Sequence, residues 1–205
     1  MTALPFATRV ICYCLGQGGS LSLRGHRKRL WLKLRRSELE RTYLDHQVRS
    51  LRRLNTGEPF EVHWSRVATD AVYDDLQAEF TCEDLWGAYR LLYPRDQRQV
   101  TPEAIGAAGL PGLAAAFLDD GVRAPKSAKL RFYGPMPQPV LVNRWLEGLA
   151  VPGRVRWFPG GSIALQWDKA QSETLIHFIR PLVHRSMAHR LAAPKLRTRT
   201  FYAGL

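Results

Sequence analysis

The chain has 205 residues and a mass of 23.3 kDa, with 45% hydrophobic and 10% aromatic residues. That is enough for one large domain or two small ones with a packed core, and it excludes a disordered tail. No run approaches about 18 consecutive apolar residues, so no membrane-spanning helix is expected. Three cysteines, two of them in the C-x-C of Cys12 and Cys14, make neither a disulfide framework nor a zinc site, and they suit a reducing or matrix-type compartment. The opening MTALPFATR has the form of neither a signal peptide nor a long transit peptide.

The formal charge is +12, from 30 basic and 18 acidic residues, and Arg outnumbers Lys 24 to 6. Its distribution says more than its total. Residues 1–36 carry +8 with no acid at all, residues 37–120 carry −7, and residues 121–205 carry +11. Two basic ends around an acidic middle imply a polyanionic partner touched by both ends.

Along the chain, Ala7 to Gly16 is a short apolar run that reads as a buried helix, stopped by Gly18-Gly19. A hairpin follows from Ser20, with its turn at Arg24-Gly25-His26-Arg27. In its second strand Leu30, Leu32 and Leu34 share one face, while Arg29, Trp31, Lys33 and Arg35 share the other. Ser37-x-x-Glu40 has the spacing of a capping box and predicts a helix to about Leu54. Residues 60–82 read as two strands with a turn near Asp70, and residues 82–93 as a helix stopped by Pro94. Thr101-Pro102-Glu103 predicts a short helical turn before an apolar helix over 111–120.

The order then repeats in shortened form. A strand over 128–133 sets Leu130 and Phe132 against Lys129, Arg131 and Tyr133. A helix is expected over 138–150. Strands are expected over 153–158 and 162–167, joined by Pro159-Gly160-Gly161. Arg154 and Arg156 share a face of the first of these. A last helix is expected over 169–191, before the basic, aromatic tail that contains Lys195, Arg197 and Arg199. The expected fold is therefore α+β: two pseudo-symmetric α-β-β-α-β-β-α repeats (1–100 and 101–191, then a tail over 192–205) forming a saddle of two antiparallel sheets, the second repeat truncated. In both repeats the strands put cations on one face and apolar residues on the other, which suits a nucleic-acid duplex.

Leu113-Ala114-Ala115-Ala116-Phe117-Leu118-Asp119-Asp120-Gly121 resembles the nine-residue signature of the LAGLIDADG homing endonucleases. The approach to it (Tyr89 to Pro94, then Val100 to Glu103) and the closing segment Ile179 to Leu191 resemble the single-chain, two-repeat branch of that family. The resemblance implies two signature helices packed along small residues, each bringing one carboxylate to a shared site where divalent metals activate water. Asp120 matches the metal-binding position of the second repeat. In the first repeat the signature falls on Val10 to Gly18, so Gln17 stands where the acid belongs, and it brings no charge to a hard cation. Only about six residues lie between Gly121 and the strand at 128, where the family has a full hairpin. Both departures point away from double-strand cleavage.

Other motifs are weaker. Gly16-Gln17-Gly18-Gly19-Ser20 lacks the Lys-Ser/Thr of a phosphate loop and reads as turn glycines. The six histidines show no metal-ligand spacing, and Ser186 has no nucleophile elbow around it. The acids Asp70, Asp74, Asp75, Glu79, Glu83 and Asp84 read as a solvated face, or one that meets basic protein partners.

The expected function is a catalytically inactive, LAGLIDADG-like protein, vestigial at Asp120 and Gln17, that binds structured RNA. Ribosomal RNA of a mitochondrial ribosome is the specific expectation, with a chloroplast as the alternative compartment and neighbouring ribosomal proteins as further partners. The expected binding residues are Arg24, Arg27, Lys28, Arg29, Trp31, Lys33, Arg35, Lys129, Arg131, Tyr133, Arg154, Arg156, Lys195, Arg197 and Arg199. No cofactor, no metal and no membrane are expected, and the duplication predicts a monomer. The alternatives are a Mg²⁺-dependent DNA endonuclease or nickase acting through Asp120, and an intron-RNA maturase.

Overall fold

The computed structural model describes residues 5–26, 29–55, 61–68, 74–132 and 135–192. The first repeat runs α1 (Phe6–Leu15), β1 (Gly19–Arg24), β2 (Arg29–Ser37), α2 (Arg41–Leu54), β3 (His63–Val67), β4 (Asp75–Phe80) and α3 (Leu85–Leu92). The second runs α4 (Pro102–Asp120), β5 (Gly121–Ala124), β6 (Ser127–Phe132), α5 (Pro139–Gly148), β7 (Arg154–Trp157), β8 (Ile163–Trp167) and α6 (Lys169–Ile179). Each repeat builds a four-stranded antiparallel sheet, ordered β1-β2-β4-β3 and β5-β6-β8-β7. The α+β duplication expected from the sequence is present.

Period-two alternation sorts each sheet into a packed and an open face. In β2, Leu30, Leu32, Leu34 and Arg36 are buried, while Arg29, Trp31, Lys33 and Arg35 lie on the other side. In β6, Ala128, Leu130 and Phe132 are buried, and Lys129 and Arg131 are exposed. The helices cover the packed faces. α1 and α4 lie against each other at the centre, where a Cβ on Gly112 would collide with Ala108 and with Leu15 of α1. The Cys12 thiol donates to the Ala108 carbonyl across this contact at 3.6 Å.

Local departures have local causes. α4 reaches back to Pro102 because the Thr101 side chain caps it by accepting from the Ala104 N–H, and it breaks at Gly109 (φ 52°) just before Pro111. Ser37 makes no cap: Glu38–Glu40 is a 3₁₀ turn ahead of α2, and the capping box forms instead at Asp168 and Gln171 on α6. α6 stops at Ile179 because Pro181 cannot continue it, so the single helix expected over 169–191 becomes α6 and 3₁₀ turns over 180–182 and 185–191. The second hairpin is shortened rather than missing. β5 pairs with β6 over four positions through a turn at 125–126, against six positions between β1 and β2. Gly160 (φ 85°) and Gly161 (φ 81°) make the turn between β7 and β8. Among the described residues no helix is long and apolar enough to cross a membrane.

Candidate nucleic-acid interface and signature site

The charged strand residues described on the open face of the second sheet are all cationic. Lys129 and Arg154 flank Gln166 in register, and Arg131 and Arg156 flank Ala164. These are two rows of cation, neutral residue, cation, with the outer members about 10 Å apart across three strands. All four cations are exposed. Val122, Ala124 and Ser127 complete the face, so no described strand residue on it is acidic. Arg131 also lies over the Phe158 ring, 5.1 Å from its centroid.

The first sheet is different. Its open face carries Arg24 from β1, Arg29, Trp31, Lys33 and Arg35 from β2, and also Asp75, Gln77 and Glu79 from β4. Arg24 donates twice to Glu79, at 2.6 and 3.1 Å, and Arg35 donates to Asp75 at 2.6 Å. The Arg24 guanidinium holds the Glu79 carboxyl below the usual carboxylate range. Two of the expected binding cations are thus tied to carboxylates of their own chain. Of the acidic stretch, Glu83 and Asp84 are exposed, while Asp75 and Glu79 share the open face of the first sheet with the cations they pair with. Trp31 sits beside the His63 ring at 5.8 Å and under Arg24. Arg27, Lys28, Tyr133, Lys195, Arg197, Arg199 and Asp70 lie outside the described residues.

The two signature segments meet at the C-terminal ends of α1 and α4. The Gln17 N–H donates to Asp120 Oδ2 at 2.9 Å, and the Gly18 N–H donates to Asp119 Oδ2 at 3.2 Å. Arg98 donates to the Cys14 and Gly16 carbonyls at 3.1 Å each, satisfying acceptors that the end of α1 leaves open. Gly16 is required because a Cβ there would lie 2.5 Å from the Asp119 carboxylate. Gly18 is required because a Cβ would enter the Arg36 guanidinium. The glycines after α1 therefore serve close packing, not phosphate binding.

Beside Asp120 lies a pair the sequence does not announce. Arg36 and Asp119 form an ion pair at 2.7 Å, with side chains only 4% and 2% exposed. Burial pushes the Asp119 carboxyl up to about 6 against the pull of Arg36. The other face of Arg36 covers the Tyr43 ring at 5.4 Å. Its one sequence signal is a second consecutive Arg in β2, whose parity puts Arg36 on the packed face.

Asp120 is half-buried, and burial raises its carboxyl too, opposed by the Gln17 N–H. The groove around it, of about 340 Å³, is lined by Gln17, Arg35, Arg36, Glu40, Asp75, Asp119, Asp120 and Arg190 among others. Of the four carboxylates among its described residues, three have an Arg partner: Asp75 with Arg35, Asp119 with Arg36, and Glu40 with Arg190. Gln17 is exposed and neutral. Among the described residues no group of three or more His, Cys, Asp or Glu side chains is placed to hold a metal ion.

No protein-family model and no curated protein matches the chain. Solved structures do. The homing endonuclease I-WcaI bound to its DNA recognition sequence superposes with a TM-score of 0.67 at 14% identity, over 94% of this chain and 89% of that one. The complex of I-DmoI with DNA and Ca superposes at 0.55 and 13% identity, over 91% and 97%. The full-length DUF199/WhiA structure from Thermatoga maritima superposes at 0.54 and 11% identity, over 92% of this chain and 59% of that one. The chain has the α+β fold of the LAGLIDADG homing endonucleases, and resembles them across both repeats.

Proposed function

We propose that this chain is a nucleic-acid-binding protein that grips a duplex by its phosphates and does not cut both strands. One observation carries the binding: the second sheet presents Lys129, Arg131, Arg154 and Arg156 on an open face with no described acidic strand residue. Phosphate contacts of this kind dominate the affinity of sequence-independent binding. Two of the superposable structures hold DNA, which supports a duplex as the kind of ligand.

The donor set supports loss of double-strand cleavage. Two scissile phosphates need divalent cations held by carboxylates from both signature segments. Here the first segment offers Gln17, and every described carboxylate in the groove except Asp120 is paired with Arg35, Arg36 or Arg190. These residues do not make a two-carboxylate metal site. A second reading, nicking of one strand, is favoured only by Asp120, whose carboxylate has a single backbone donor and no Arg within ion-pair distance among the described residues.

The identity of the duplex is a further step. We propose structured RNA, with ribosomal RNA in a mitochondrial ribosome as the candidate drawn from the basic ends, the Arg content and the predicted loss of cleavage. I-WcaI and I-DmoI were solved with DNA, so DNA is the control ligand. The test is incubation of the purified protein with supercoiled plasmid and Mg²⁺ or Mn²⁺, alongside binding to matched DNA and RNA duplexes. Binding with the plasmid left closed supports the proposal, an open-circular product supports the nicking reading, and a linear product contradicts both.

A further inference from the structure

The helix layer, on the far side of the first sheet from its open face, carries a second basic surface. Thr42, His46, Arg49, Ser50 and Arg53 recur at the spacing of one face of α2, turned away from the buried stripe of Tyr43, Leu44, Gln47, Val48 and Leu51. With Arg9 of α1 and Arg185 of the C-terminal 3₁₀ turn they line a groove of about 600 Å³. Among the described residues four arginines border it and no carboxylate does. None of the four takes part in an ion pair among the described residues.

The groove runs into a deeper pocket of about 370 Å³ that shares Arg9, His46 and His184 with it. One wall of that pocket is aromatic. The His46 and His184 rings stack at 4.4 Å between centroids, with Tyr43 within 6.4 Å of both. Pro111, Ala114, Ala115 and Leu118 add small and apolar lining. Burial holds both imidazoles below their ordinary proton affinity, which favours neutral, stackable rings. The buried Nε–H of Arg9, at the junction of pocket and groove, has no partner among the described residues. A buried guanidinium donor left open beside an arginine-lined groove calls for an anionic acceptor.

We propose that this junction binds a nucleoside phosphate, the base stacking in the pocket against the His46–His184 wall and the phosphate held by Arg9, Arg49 and Arg185. A pocket of this volume and mixed lining is of the size that takes a small ligand. Planar bases stack on aromatic rings whatever their sequence, and guanidinium forks match phosphate oxygens. The same chemistry is offered by a free mononucleotide and by one unstacked nucleotide of a single strand.

Isothermal titration of the full chain with AMP, with adenosine, with inorganic phosphate and with a ten-nucleotide single-stranded RNA tests the proposal. AMP or the RNA should bind saturably, and adenosine and phosphate each at least tenfold more weakly. Binding of AMP identifies a free-nucleotide site; binding of the RNA without AMP identifies a nucleotide held within a strand. Arg49→Ala with Arg185→Ala, both on exposed side chains, should weaken binding at least tenfold and leave duplex affinity unchanged. Lys129→Glu with Arg154→Glu should do the reverse, so failure here and failure of the sheet-face reading are told apart. No binding of either probe, equal binding of phosphate and AMP, or unchanged affinity in the arginine pair would overturn the proposal.

Discussion

Arg36 and Asp119 lie 2.7 Å apart in the heart of the molecule, each nearly sealed from solvent, and the link joins the packed face of the first sheet to the signature helix of the second repeat. Asp119 also accepts from the Gly18 N–H, so one carboxylate ties β2, the end of α1 and the end of α4 together. Breaking a buried pair from one side leaves an uncompensated charge and costs about 3–5 kcal/mol. Asp119→Ala should therefore lower stability by that amount in urea unfolding. The joint replacement Arg36→Met with Asp119→Leu should recover most of it, because neither charge then remains buried.

The first sheet, built from β1 to β4, carries cations that are paired within the chain. Arg24 and Arg35 spend their donors on Glu79 and Asp75. Exposed pairs of this kind contribute about 0–1 kcal/mol to stability. Glu79→Gln with Asp75→Asn should leave the fold nearly as stable and tighten duplex binding. The slope of log affinity on log salt should steepen by about 0.9 for each cation that reaches a phosphate. Filter binding over a salt series checks both.

The stacked histidines set a pH dependence. Burial lowers the proton affinity of His46 and His184 from the ordinary 6.5. The unfolded chain then binds more protons as pH falls through that value, so their contribution to stability is present above it and lost below. Asp119 acts in the opposite sense: raised from 3.8 to about 6, it takes up its proton in the folded state first, which favours the fold as pH falls between those values. The histidine part is isolated by difference. From pH 7.5 to 5.5 the wild type should lose more thermal stability than His46→Asn.

Gln47 is fully buried on α2, and neither its amide nitrogen nor its oxygen has a partner among the described residues. An unsatisfied buried amide costs about 1–3 kcal/mol. Gln47→Met, similar in volume, should raise the unfolding midpoint, with a gain of about 1 kcal/mol.

The parts of this molecule that were legible in the sequence are those carried by periodicity and glycine. The alternation from Arg29 to Arg35 put cations and leucines on opposite faces as found, and Gly160-Gly161 marked its hairpin. The nine residues ending at Gly121 located the signature helix, and Gln17 was placed beside Asp120, where the backbone contact now lies. What was not legible is long-range. The pairing of Arg24 with Glu79 and Arg35 with Asp75 depends on β4 lying next to β2, which no local pattern encodes. The Arg36–Asp119 pair spans both repeats. The capping box misled at Ser37 because Glu38–Glu40 winds as a 3₁₀ turn and Glu40 is held by Arg190. The pocket behind α1 and α4 joins residues from four separated segments, and although two of them carry the signature, no local pattern brings the four together.

The central claim is that the acid-free face of the second sheet holds nucleic acid by its phosphates. It is tested most directly by measuring the affinity of one 30-base-pair duplex for the wild type and for Lys129→Glu with Arg154→Glu across a salt series. The account predicts a loss of at least tenfold and a salt slope flattened by about 2, near 0.9 for each phosphate contact removed. Unchanged affinity with an unchanged slope would contradict it.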